Sequence, residues 1–289
     1  MDDAPTGSDA ADALIQANRD LWDGWTELHV PSEFYDVDGF KLGRETLDAV
    51  ELDGVLGAVG DIEGKSLLHL QCHFGLDSLS WARRGAIVTG VDFSEKAVAH
   101  ARRLAGELAL AARFICADVT DTQAVTAALG GERFDVVFTS HGVISWLPDL
   151  RPWAQTVAAT LRPGGTFFLA DSHPFCWMFD DEATQPGLRV RFDYADQAPL
   201  RYEETGSYAV PDADLRGVSY SWRHPFEEIV GSLIAAGLTI TSLREYDYLF
   251  WRWFPWMTRD DEGRYRLPEP LPRIPLMFSL TATGPAGVK

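Results

Sequence analysis

The stretch LLHLQCHFGLDS, Leu67 to Ser78, decides how this chain is read. It opens strand-like and breaks at the turn His73-Phe74-Gly75. Two histidines and a cysteine crowd into His69-Leu70-Gln71-Cys72-His73, which raises a metal or haem site as the rival to a ligand-binding turn. Covalent haem attachment needs Cys-x-x-Cys-His, and position 69 is His. Zinc needs three or four converging ligands, whereas successive strand residues face opposite ways. The expectation is a turn with no metal.

Working outward, LDSLSWARRG has helical spacing and stops at Gly85, and AIVTGVD is a second strand. A helix capped by Ser94 follows, then strand ARFICAD, helix TQAVTAALG, the very apolar strand FDVVFTS, helix LRPWAQTVAATL and strand TFFLADS. Helix HPFEEIVGSLIAAGL, strand TITSLREYD and strand IPLMFSLTA close the pattern. This alternation predicts an α/β fold: a doubly wound, mostly parallel seven-stranded sheet, helices on both faces, and an antiparallel last strand. Four regions are expected: a helical cap over 1–42, a Rossmann-like core over 43–171, a lid insertion over 172–222, and a C-terminal part of the core over 223–289. Within the cap, 9–30 reads as helix and 31–42 as an ordered loop. The last region carries an aromatic insertion at 246–273, with YLFWRWFPWM at its centre. The lids thus follow the fifth and sixth strands.

The 25 basic and 43 acidic residues leave a formal charge of −18, which repels phosphate backbones and argues against nucleic acid. No apolar run reaches the roughly 20 residues of a spanning helix, and the amino terminus lacks a signal-peptide pattern. Cys72, Cys116 and Cys176 are too few and too scattered for a disulfide framework. A cytoplasmic protein is expected, with no membrane partner and room for a homodimer.

Doubly wound sheets bind ligands at the carboxyl ends of their strands. Those ends carry Gln71, Cys72, His73 and Gly75, then Asp92-Phe93, Ala117-Asp118-Val119, Ser140-His141 and Asp171-Ser172-His173. Asp92, 17 residues beyond Gly75, is placed to accept hydrogen bonds from ribose hydroxyls. Asp118 is placed for an adenine amino group.

At these residues the sequence resembles the class I S-adenosylmethionine-dependent methyltransferases, the small-molecule branch in particular. LLHLQCHFG matches the strand and glycine-rich turn, Asp92 in GVDFS the ribose acid, ADV at 117–119 the adenine motif, and LRPGG at 161–165 a later turn. The resemblance implies S-adenosylmethionine as cofactor and places this chain's chemistry in secondary metabolism. His69 stands where that family usually has an acid, and Gln71 and His73 replace two of its glycines. Their side chains are expected to line the methionine end of the cofactor, with Tyr35 covering it. An NAD-type oxidoreductase and a catalytically silent nucleotide-binding protein are the alternatives, although the former wants Gly-x-Gly-x-x-Gly and QCHFGL holds one glycine.

Methyl transfer from a sulfonium is a metal-independent in-line displacement that needs alignment, dryness and often a base. The aromatic insertion suits an aromatic or heteroaromatic small-molecule acceptor, and equally suits a mini-core that holds the lid together. His173 and His141 are the candidate catalytic bases, against plain loop-bonding roles. His224 reads as a capping or packing residue, and His29 and His100 carry no signal.

Overall fold

The structure, a computed structural model, describes residues 8–285; the amino-terminal reading of 1–7 and the last four residues of the 223–289 region lie outside them. Among the described residues there are eleven strands: β1 (Ser66–Leu70), β2 (Ile87–Asp92), β3 (Ala112–Cys116), β4 (Phe134–Ser140), β5 (Leu161–Ser172), β6 (Leu200–Thr205), β7 (Arg216–Ser221), β8 (Thr239–Tyr246), β9 (Thr258–Arg259), β10 (Tyr265–Arg266) and β11 (Met277–Thr283). Seven of them make the main sheet in the order β3-β2-β1-β4-β5-β11-β8. All neighbours are parallel except β11, which runs antiparallel to both β5 and β8. The expected doubly wound sheet and its reversed last strand are both present.

The sheet is buried on both faces because the α-helices cover both. The helices are α1 (Ser8–His29), α2 (Val37–Lys41), α3 (Ala49–Val59), α4 (Leu76–Arg83), α5 (Glu95–Leu108), α6 (Thr122–Ala128), α7 (Leu150–Thr160) and α8 (Phe226–Ala235). Side chains alternate faces along each strand. Leu68, Val137 and Phe167 therefore pack with Trp153 and Leu233 on one side. Their neighbours Leu67, Val136 and Phe168 pack with Trp81 and Leu276 on the other. Phe138 and Phe168 stack there at 5.6 Å. Such continuous apolar strands are what a sheet covered twice requires.

The structure differs from the sequence reading in four places. The 31–42 segment contains the short helix α2, capped by the Asp36 carboxylate on Gly39 N. Helix α3, absent from the sequence reading, begins with a capping box in which Asp48 and Glu51 hold each other's backbone amides. The 161–165 turn belongs to β5, which pairs Phe134 with Leu161 and then slips register before Val136 meets Thr166. Gly165 makes that slip possible, since a Cβ there would sit 3.0 Å from Phe134 O. The strand-like LRVRFDY contributes one bridge, Val190 to Phe179.

Both insertions touch the loop after β4, the first where Trp222 N donates to Ser145 O at 2.8 Å and the second where Trp251 packs on His141 at 5.2 Å. The β6–β7 hairpin is fastened to α1 by the Asn18 side chain, which donates to Tyr220 O and accepts from Tyr220 N at 2.8 Å each. The aromatic insertion folds on itself around fully buried Phe254, stacked on Trp256 at 4.8 Å, with β9 and β10 as its short hairpin.

Candidate functional site

The turn after β1 is where replaced glycines matter most. Gln71 has φ 58° and His73 φ 50°, both in the left-handed region that glycine occupies without strain. The backbone conformation of a glycine-rich turn thus survives although the glycines do not. Gly75, at φ 86°, remains because a Cβ would lie 2.7 Å from the Phe114 ring. Cys72 is buried beneath the turn, and Phe93 and Val119 flank it at the ends of the next two strands.

Asp92 ties the turn to β2. One carboxylate oxygen accepts from His73 N at 2.8 Å, and the other from Ser94 N at 2.9 Å. Burial raises its pKa to about 6 against these backbone hydrogen bonds. Each oxygen keeps a second lone pair for a ligand hydroxyl. Beside it lies a cavity of about 410 Å³ lined by Gln16, Arg19, Phe93, Glu95, Ala117 and Asp118, among others. Helix α1 supplies one wall of this cavity. Asp118 uses one oxygen on Thr120 N and Oγ1, at 2.8 and 2.7 Å.

At the other end of the turn Gln71 donates to Val143 O at 2.9 Å, while its Oε1 is buried without a partner. His73 is capped by an aromatic cluster that the sequence did not reveal. Its Nε2 lies 3.0 Å from Nδ1 of His29, so one ring donates and the other accepts. Trp22 packs edge-on against His73 at 5.1 Å, Tyr35 against Phe74 at 4.8 Å, and the Tyr35 and Tyr208 hydroxyls bond to each other. Burial lowers the His29 pKa to about 4 and holds that of His73 well below its ordinary value, so this pair is neutral at pH 7. His29, which carried no signal in the sequence, joins the site through α1. His69 faces the other way, against Ser78 Oγ at 2.8 Å. His69, Cys72 and His73 do not converge on a common point, and they form no metal-ligand group among the described residues.

The ends of β4 and β5 form the second half of the crevice. Asp171 accepts from Gly142, Val143 and Ile144 N at 2.9 to 3.1 Å and fixes the loop after β4. His141, itself at φ 55°, opens that loop. Its Nε2 lies 2.6 Å from Asp48 Oδ2 and 3.6 Å from Glu51 Oε1, while Nδ1 is buried and unpartnered. Asp48, Glu51 and His141 could together ligate a cation. Burial alone would lower the His141 pKa, but Asp48, then Glu51 and Asp171, raise it to about 10. Glu51, 1% exposed, is raised to about 8 by burial and the Asp48 charge. Ser140 Oγ is buried beside Glu51 and draws its carboxyl pKa down against the effect of burial. The His141 ring packs against Trp251 at 5.2 Å and Phe250 at 6.1 Å, so the aromatic insertion is both mini-core and roof.

His173 differs from His141. Its Nδ1 accepts from Phe175 N at 3.1 Å, which leaves Nε2 to donate to Glu245 at 3.0 Å. Both nitrogens are committed and the ring is 1% exposed between Phe175 and Phe226. His224 holds Leu147 O at 2.8 Å and Glu228 at 2.9 Å, a packing role.

Residues 67–165 match the family model described as a methyltransferase domain. The ubiquinone biosynthesis O-methyltransferase of Aeromonas salmonicida is 29% identical over 154 residues, which are 53% of this chain and 63% of that protein. The chain thus matches less than two thirds of that relative's length. An S-adenosylmethionine-dependent methyltransferase from Mesorhizobium loti shares the fold with a TM-score of 0.54 at 20% identity, over 81% of this chain and 98% of that one. The glycopeptide N-methyltransferase MtfA, solved with S-adenosylmethionine, aligns with a TM-score of 0.50 at 17% identity, over 82% and 95%. The strand-turn-acid unit lies within the matched methyltransferase domain of residues 67–165, and the fold around it is that of S-adenosylmethionine-dependent methyltransferases.

Proposed function

We propose that this protein moves the methyl group of S-adenosylmethionine to a small aromatic or heteroaromatic acceptor by metal-independent in-line displacement. The observation that carries the reading is the turn after β1, where Gln71 and His73 take up glycine-like backbone angles and Asp92 braces the turn. The residues present fit the cofactor. Asp92 would accept the ribose hydroxyls, and Phe93, Ala117 and the spare oxygen of Asp118 would hold the adenine. The orphaned Gln71 Oε1 is a buried acceptor suited to the methionine ammonium. Tyr35, His29 and Trp22 would close the methionine end from solvent.

When bound, the cofactor supplies an electrophilic methyl group, so the protein's task is placement and dryness. The crevice between the β4 and β5 loops, roofed by Trp251 and Phe250, is where an acceptor ring would lie. An O-methyltransferase among the relatives supports a hydroxylated ring as acceptor. His141 is the better-placed base of the two histidines, because His173 has no nitrogen to spare.

Calorimetric titration of the purified protein with S-adenosylmethionine, S-adenosylhomocysteine and NAD tests the reading. Micromolar binding of the first two without NAD is expected. NAD binding alone would replace it with an oxidoreductase, and no binding at all with a silent scaffold.

A further inference from the structure

The capping box of α3 and the base candidate just after β4 are one unit, and the sequence separates them by 93 residues. Asp48 Oδ1 is spent on the helix, accepting from Val50 N at 2.7 Å and Glu51 N at 2.9 Å. Its Oδ2 faces His141 Nε2 at 2.6 Å. Glu51 Oε2 accepts from Asp48 N at 2.8 Å, and its Oε1 is buried, unpartnered and 3.6 Å from the same ring nitrogen. A carboxylate opposite Nε2 obliges that nitrogen to carry a proton, so the lone pair of the neutral ring sits on Nδ1. Nδ1 has no partner within the protein.

We infer that Asp48 and Glu51 are positioning residues that hold His141 as the base through Nδ1, and that the acceptor is a protic nucleophile, a phenolic hydroxyl group. This rests on the methyl-transfer reading above. In the step, the hydroxyl proton passes to His141 Nδ1 and the oxygen lone pair forms the bond to the methyl carbon. The C–S pair stays on sulfur, giving S-adenosylhomocysteine and a methyl ether. The imidazolium, steadied by Asp48 and Glu51, then releases its proton to solvent.

The same three groups could hold a divalent cation. The geometry favours the base, because each carboxylate has one oxygen committed to the helix cap and the Asp48–His141 contact has hydrogen-bond length.

Asp48→Asn and Glu51→Gln keep the oxygens that cap the helix, so both variants should fold. Asparagine, however, presents an NH₂ group to Nε2 and forces the proton onto Nδ1. Nitrogen-15 imidazole spectra of the full chain, titrated upward from neutral pH with His141→Gln for assignment, should show the doubly protonated ring give way to the Nε2–H form in the wild type. Asp48→Asn should show Nδ1–H. With S-adenosylmethionine and a panel of simple phenols including protocatechuate, Asp48→Asn should lose about a hundredfold or more in kcat with KM within about threefold, as wrong-tautomer variants of His–Asp pairs do.

The rate should rise with pH above neutrality as His141 loses its proton. The groups facing it are Asp48 at the cap of α3, Glu51 on α3, Asp77 on α4 and Asp171 on β5, with Tyr248 of the aromatic insertion beside Asp48. Glu51→Gln, by removing one carboxylate, should move that profile to lower pH.

An unchanged tautomer and kcat in Asp48→Asn would overturn the inference. Selective broadening of the His141 signals by micromolar Mn²⁺ would make the cluster a metal site instead. A protein that binds S-adenosylmethionine but methylates no phenol also overturns it, leaving the cofactor reading intact. Failure to bind the cofactor would sink that reading itself.

Discussion

The two halves of the crevice are built by different rules. On the β1–β2–β3 side the candidate site rests on backbone: left-handed turn angles after β1 and amide hydrogens on Asp92 at the end of β2, with Asp118 after β3. On the β4–β5 side it rests on side chains brought from afar, with α3 supplying Asp48 and Glu51 and an insertion supplying Trp251. A backbone-built site tolerates replaced glycines so long as the turn keeps its shape. A side-chain site changes with every substitution in the elements that lean on it.

The largest expected effect breaks the first half. Asp92→Ala removes the carboxylate that braces the turn and would accept the ribose, costing roughly 3 kcal/mol, about a hundredfold in S-adenosylmethionine affinity by calorimetry. Unchanged affinity would take Asp92 out of the site.

The second half should separate from the first. Trp251→Ala is expected to leave cofactor affinity within about twofold while weakening acceptor binding by roughly tenfold, the scale of one aromatic contact plus its buried area. His173→Gln keeps one backbone partner and should cost stability of about 1 kcal/mol with kcat near wild type. A large kcat loss there would return His173 to the chemistry.

Acid should strike the cofactor half first. Burial lowers the pKa of His29 to about 4 and of His69 to about 3, and that of His73 falls as well. The unfolded chain takes up protons below pH 6.5 where the native chain does not, so stability falls as pH drops from about 6.5 towards 4. His29 alone accounts for roughly 3 kcal/mol. Glu51 works in the opposite sense, because its raised pKa makes the native state hold a proton from about pH 4.5 to 8, and its contribution is lost as pH rises through that window. Thermal melts from pH 7 to 4 should show a steep fall, and a flat profile would mean that the histidine cluster is solvated. The smallest effect lies outside both halves. Ala109 ends α5 at φ 52° on the surface, so Ala109→Gly should add about 0.5–1 kcal/mol and raise Tm by a few degrees.

Much of the cofactor half was legible in one dimension. Leu67 to Gly75, Asp92 and Asp118 lie at the ends of successive strands, and a parallel sheet carries such ends to one edge whatever the rest of the chain does. The DAVE spelling at 48–51 was a readable helix start, yet nothing in it says which strand it would meet. His29 was silent because its partner, His73, lies 44 residues away on another element. His173 and His141 look equivalent in sequence, each just after an apolar strand. The local 3-10 turn and Glu245 occupy one, and only the packing of α3 and the aromatic insertion leaves a nitrogen free on the other.

The sequence alone therefore determined the sheet, its reversed last strand and the place of Asp92 at the end of β2, since these follow from periodicity and strand ends, which are local. Tertiary structure decided the aromatic seal over the turn, the pairing of Asp48 and Glu51 with His141, and the hydrogen bonds that occupy both nitrogens of His173. Those depend on which surfaces meet, a property that residues distant in the chain acquire only once the core has brought them together.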